Sequence, residues 1–155
     1  FHPERYYEVF DLPGKKMNNS RGWEIYPKIM YDIAMYLKEN YHNIPWLITE
    51  NGMGREHEEQ YMDEKGIVQD DYRIEFIGQH LRYLIKAAEE GANCEGYMLW
   101  AFTDCVSPMN AFKNRYGLVR IELNDERSRI LKKSASWYQS LIDKRELSLP
   151  NEAYK

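Results

Sequence analysis

The run Pro45-Trp46-Leu47-Ile48-Thr49-Glu50-Asn51-Gly52-Met53-Gly54 decides how the rest of the chain is read. Apolar and β-branched residues follow a proline and end in a carboxylate, an amide and two glycines. Such a run predicts a buried strand covered on both faces, with Gly52 and Gly54 letting the chain turn sharply after it. A charged residue at the carboxyl end of a buried parallel strand is where α/β enzymes keep their chemistry, so Glu50 is the first candidate catalytic group. A carboxylate that caps the strand or pairs with a surface arginine is the alternative reading of the same position.

On either side of this strand the period changes to that of helices. Pro27 suits a first helical turn, and a helix is expected from there to about residue 40, with Ile29, Ile33, Tyr36 and Leu37 as its core stripe. Residues 53–69 are polar and predict a solvated loop. Its His57-Glu58-Glu59 lacks a second histidine at ligand spacing, so no metal site is expected there, and Gly52-Met53-Gly54 is too short for a phosphate-binding fingerprint. Asp70 or Asp71 caps a second helix that ends near Gly91, with Ile77, Leu81, Leu84, Ile85 and Ala88 inward and Arg73, Glu75, Arg82 and Lys86 on its surface. Residues 96–102 predict a second buried strand, ending in Thr103-Asp104. A loop over 105–114, a strand-like run over 116–123 and a helix over 133–144 follow, the helix burying Trp137, Leu141 and either Tyr138 or Ile142. Residues 1–22 read as a long loop tethered by Tyr6, Tyr7 and Phe10, and residues 148–155 as a frayed end.

Helix, strand, helix, strand, helix with short crossovers is the pattern of parallel βα units and places the chain in the α/β class. A complete (β/α)8 TIM barrel takes about 250 residues. The 155 residues here are therefore expected to form the C-terminal portion of one such domain, the last two βα units plus the preceding helix.

A composition of 43% hydrophobic and 30% charged residues is that of a soluble globular chain, and no run approaches a membrane span. The formal net charge of −4 gives no reason to expect nucleic acid or an anionic membrane as partner, so an anionic ligand would need a local cluster. Two cysteines, Cys94 and Cys105, are too few for a disulfide framework and suggest thiols in a reducing compartment. Phe1-His2-Pro3-Glu4-Arg5 offers neither an initiator methionine nor a signal peptide's apolar core, and the chain is expected to be a piece of a longer protein.

Ile48-Thr49-Glu50-Asn51-Gly52 resembles the nucleophile motif of glycoside hydrolase family 1, and the likeness extends along the chain. Arg21-Gly22-Trp23-Glu24-Ile25-Tyr26-Pro27, Gln69-Asp70-Asp71-Tyr72-Arg73, Gly96-Tyr97-Met98-Leu99-Trp100 and Asn114-Arg115-Tyr116-Gly117 fall in the family's order. The resemblance implies that the two strands are the seventh and eighth of the barrel, that Glu50 is the nucleophile of a retaining glycosidase, and that Trp100 stacks on a sugar ring. Retention needs a second carboxyl group as acid/base. In the family it lies in a Thr-x-Asn-Glu-Pro motif that is absent here; Asn151-Glu152-Ala153 lacks the proline and the preceding strand.

Residues 107–116 carry the specificity argument. The resemblance puts Ser107 where ordinary β-glucosidases have a glutamate for the sugar's 4- and 6-hydroxyls. A carboxylate there repels a 6-phosphate, whereas a serine hydroxyl donates to one. Ser107 and Tyr116 match the Ser...Lys-x-Tyr arrangement of the 6-phospho-β-glucosidase branch. Asn114 stands in the lysine's place, with Lys113 adjacent, so either Lys113 or Asn114 is expected at the phosphate, unless the charge comes from elsewhere. The expected function is hydrolysis of 6-phospho-β-glucosides in the cytoplasm, without metal or cofactor. A β-glucosidase, a 6-phospho-β-galactosidase and an inactive half-barrel that binds or self-associates are the alternatives. The expected partners are the substrate, the missing N-terminal part of the barrel and, by its open edges, a second copy of the chain.

Overall fold

The computed structural model describes residues 13–149. The expected aromatic tethers Tyr6, Tyr7 and Phe10, and Asn151-Glu152-Ala153, lie outside them. The first described elements are two very short strands, β1 (Met17–Asn18) and β2 (Trp23–Glu24), paired antiparallel where only loop was expected. Helix α1 (Ile29–Asn40) leads into β3 (Trp46–Asn51), a single 3₁₀ turn (Glu58–Tyr61), α2 (Asp71–Glu89) and β4 (Cys94–Leu99). A hairpin of β5 (Val119–Ile121) and β6 (Arg129–Leu131) then precedes α3 (Lys133–Lys144).

β3 and β4 pair in parallel, as the βα pattern requires. They are not covered on both faces. Trp46 packs on Ala34, Ala87 and Ala92 beneath α1 and α2, and Tyr97 and Leu99 pack on Ile77, Leu81 and Leu118, joined by Trp137, Tyr138 and Leu141 of α3. The opposite face carries Leu47, Met98 and Trp100, with Met98 56% exposed. Side chains alternate across a strand, so helices on one side bury only every second residue.

The helix stripes also need correcting. On α1 the buried residues are Met30 and Ala34, while Ile29, Ile33 and Tyr36 are exposed. On α2, Ala87 rather than Ala88 turns inward and Ile85 is exposed. Small residues, Ala34 and Ala87, let α1 and α2 approach closely, and a contact built on alanine is invisible to a search for large apolar residues. Trp137, Tyr138 and Leu141 pack inward from α3, and Ile142 points out.

The loop after β3 is not simply solvated. Glu58 is 3% exposed and forms ion pairs with Arg73, 1% exposed on α2, and with Lys132 at the start of α3. Lys132 Nζ also lies 3.0 Å from Asp104 Oδ1, and Asp104 accepts the Gly117 N–H at 3.0 Å. Asp70 takes the N-cap position of α2, yet its carboxylate accepts from Ser134 N and Oγ at 2.8 and 2.5 Å instead of capping the helix. Buried charges are tolerated only when paired, and here the pairing ties four separated segments together beneath the loops.

Candidate active site

Pairing between β3 and β4 slips beside Glu50. Ile48 pairs with Tyr97 and Asn51 with Leu99, so three steps on β3 match two on β4. A bulge of this kind re-aims a side chain, and alternation breaks: Thr49 and Glu50 are both exposed. Asn51 is fixed next to it, its side-chain oxygen accepting from Tyr97 Oη at 2.7 Å and its carbonyl from Trp100 N at 2.9 Å. Gly52 then passes so near β4 that a Cβ would lie 1.7 Å from the Trp100 carbonyl oxygen. Only glycine lets the two strand ends converge here.

The loop beyond β4 closes over the same place. Ser107 and Ala111 exchange backbone hydrogen bonds at 2.9 and 2.8 Å, making a compact turn. Ser107 Oγ accepts from Met109 N at 3.3 Å, which leaves its own O–H to donate. Arg55 and Arg115 exchange a second backbone pair at 3.0 and 2.8 Å, fastening the loop after β3 to the loop after β4. This sets the Tyr116 ring on Gly54, where a Cβ would meet Tyr116 Cζ at 2.5 Å.

The outcome is a cleft of about 380 Å³ lined by Glu50, Trp100, Ser107 and Tyr116, with Trp23 of β2 and Cys105 among its other walls. Glu50 is the single carboxylate among the described lining residues. Burial pushes the Tyr116 phenol up, and the Arg21 guanidinium draws it partly back. Burial, with the Asp104 carboxylate adding to it, likewise raises the Cys105 thiol.

Lys113 and Asn114 are not brought to this cleft. Lys113 is 60% exposed, its ammonium 3.4 Å from Glu56 Oε2, and it lines a separate depression with Phe112, Arg115 and Arg120. Asn114 is fully buried and donates to Glu56 Oε1 at 3.4 Å. Trp23 was singled out only as part of a motif. Its own sequence neighbourhood carries no signal that separates it from the other exposed aromatics, among them Tyr26, Tyr36 and Tyr41. Among the described residues no group of three or more His, Cys, Asp or Glu is placed to hold a metal ion.

Residues 8–147 match the sequence pattern of glycosyl hydrolase family 1. The chain belongs to that family. It is 52% identical over 143 residues to GmuD, a 6-phospho-beta-glucosidase of Bacillus subtilis, covering 92% of this chain and 31% of that protein. It is 39% identical over 128 residues to a 6-phospho-beta-galactosidase of Staphylococcus haemolyticus, covering 81% of this chain and 26% of that one. The fold superposes on a family 1 beta-glucosidase of Thermotoga maritima with a TM-score of 0.81 at 29% identity, over 90% of this chain and 31% of the other. The chain thus spans about a third of the length of these relatives, and its α/β fold is a portion of the family's TIM barrel.

Proposed function

We propose that this chain supplies the nucleophile and the sugar-phosphate contacts of a retaining 6-phospho-β-glucosidase. The observation that carries the reading is one cleft that pairs a lone carboxylate, Glu50, with two hydroxyls, Ser107 and Tyr116, in place of a second acid. Glu50 attacks the anomeric carbon and displaces the aglycone, giving a glycosyl-enzyme that water then hydrolyses. The acid that protonates the leaving oxygen, and then deprotonates the water, comes from the part of the barrel this chain does not contain. Trp100 offers a flat apolar face to the sugar ring. Ser107 donates its O–H to the 6-phosphate and Tyr116 its phenol O–H, whose hold on the proton burial strengthens. Lys113 and Asn114 reach the phosphate only if Glu56 releases them. A substrate already phosphorylated belongs inside the cell, which fits two cysteines left as thiols.

Likeness to the staphylococcal enzyme supports a second reading, a 6-phospho-β-galactoside as substrate. The test uses the full-length protein with p-nitrophenyl β-glucoside 6-phosphate, the corresponding galactoside 6-phosphate and the unphosphorylated glucoside. The phosphorylated glucoside is expected to have the highest kcat/KM. Preference for the neutral sugar would remove the role given to Ser107. Glu50→Gln is expected to abolish turnover, and substantial remaining activity would remove Glu50 as nucleophile.

A further inference from the structure

A phosphate monoester carries close to two negative charges at neutral pH, yet the described lining of the cleft holds no lysine or arginine. Hydroxyl donors fix geometry but leave that charge uncompensated. The two cations that precede Tyr116 in its loop are engaged elsewhere, Lys113 with Glu56 and Arg115 with Asp104 at 3.5 Å, and both line another depression.

Arg21 is differently placed. It sits in the turn between β1 and β2, where its backbone N–H donates to the Asn18 carbonyl at 3.1 Å. This hairpin is tied to the loop that follows Glu50. Asn18 Nδ2 donates to the Gly54 carbonyl at 2.9 Å, and Ser20 Oγ accepts from Glu56 N at 3.1 Å. Gly54 is also the residue on which the Tyr116 ring rests, so the hairpin and Tyr116 share one support. The Arg21 guanidinium carbon lies 4.4 Å from the centroid of the Trp23 ring, and Trp23 lines the cleft. This cation–π contact restrains the guanidinium, and its Nε is shielded from solvent with no hydrogen-bond partner among the described residues. The charge is close enough to lower the proton affinity of the Tyr116 phenol. A restrained guanidinium offers a planar pair of N–H donors, the geometry that a phosphate takes bidentately.

We propose that Arg21 supplies the positive charge that recognises the substrate's 6-phosphate, beside the hydroxyls of Ser107 and Tyr116. The assignment rests on the phosphorylated-glucoside reading above. It makes the β1–β2 hairpin, and not only the loop after β4, a determinant of specificity.

The experiment compares Arg21→Ala and Arg21→Lys with the unsubstituted full-length enzyme on p-nitrophenyl β-glucoside 6-phosphate and on p-nitrophenyl β-glucoside. In Arg21→Ala the ratio of the two kcat/KM values is expected to fall by about 10- to 100-fold, as loss of a charged hydrogen bond does. The loss should sit mainly in KM for the phosphorylated ester, and Arg21→Lys should recover part of it. Inorganic phosphate should inhibit Arg21→Ala less than the unsubstituted enzyme. An unchanged ratio would overturn the assignment, and so would an equal loss on both substrates, which would leave Arg21 as a support for Trp23. If the unsubstituted enzyme itself lacks a preference for the phosphorylated ester, the phosphate reading fails before Arg21 is altered, and this role falls with it.

Discussion

Gly54 shows how a residue without a side chain sets a binding group. The Tyr116 ring occupies the space a Cβ would need, 2.5 Å from Cζ, so Gly54→Ala must push the ring or the backbone aside. Overpacking of this sort costs about 1–3 kcal/mol. We expect Gly54→Ala in the full-length protein to lower stability by that amount and to raise KM for the phosphorylated glucoside. In a Tyr116→Ala background the stability cost of Gly54→Ala should largely vanish. Denaturant titration of the four proteins checks this, and additive costs would show that the ring contact is not the cause.

Between elements, the buried charges do the joining. Lys132 leads into α3 but meets Glu58 from the loop after β3 and Asp104 from the loop after β4. Lys132→Met leaves two buried carboxylates short of a cation and should cost about 3–5 kcal/mol in a denaturant melt of the full-length protein. A change under 1 kcal/mol, roughly the worth of a surface pair, would mean that the cluster is solvated in practice. On α2, burial holds the His80 imidazole below the ordinary histidine value, although Nδ1–H donates to the Phe76 carbonyl at 2.7 Å. The unfolded chain therefore takes up the proton first, near pH ~6.5, and the contribution of His80 is complete above that pH and declines as pH falls towards the folded value. Tm measured at pH 7.5 and at 5.5 should fall less in His80→Gln than in the unsubstituted protein; equal falls would exonerate the histidine. Sequence pattern was enough for the helices and the parallel pair, because period and breakers such as Pro27 and Gly91 are local. The place of Glu50 at a strand end was enough to nominate it, whereas Trp100, Ser107 and Tyr116 came from the resemblance to glycoside hydrolase family 1; the structure gathers the four in one cleft. Burial of Arg73 and Glu58 was not legible, since nothing local tells a charge that meets a distant partner from one that meets water. The inward alanines of α1 and α2 were missed for a related reason, a small side chain carrying little periodic signal.

At the scale of the molecule, the described chain leaves much apolar surface open. Leu47, Met98 and Trp100 face outward from the sheet, and Phe102, Leu131 and Ile142 border a groove of about 440 Å³ between β4 and α3. Among the described residues β3 and β4 pair only with each other, so each presents an unpaired edge. The chain expressed alone is expected to self-associate, and to turn over none of the aryl glucosides because the described lining of its cleft has one carboxylate. Light scattering across a concentration series and a turnover assay test both; a stable, active monomer would contradict them. The ion-pair cluster carries a last consequence, for the order of assembly on the ribosome. Glu58 waits 74 residues for Lys132 and Asp104 waits 28, so α1, α2 and the β3–β4 pair can form while these carboxylates still lack their ammonium. The loops framing Glu50 and Tyr116 are then locked only after Lys132 has left the exit tunnel, later than α1, α2 and the β3–β4 pair can form.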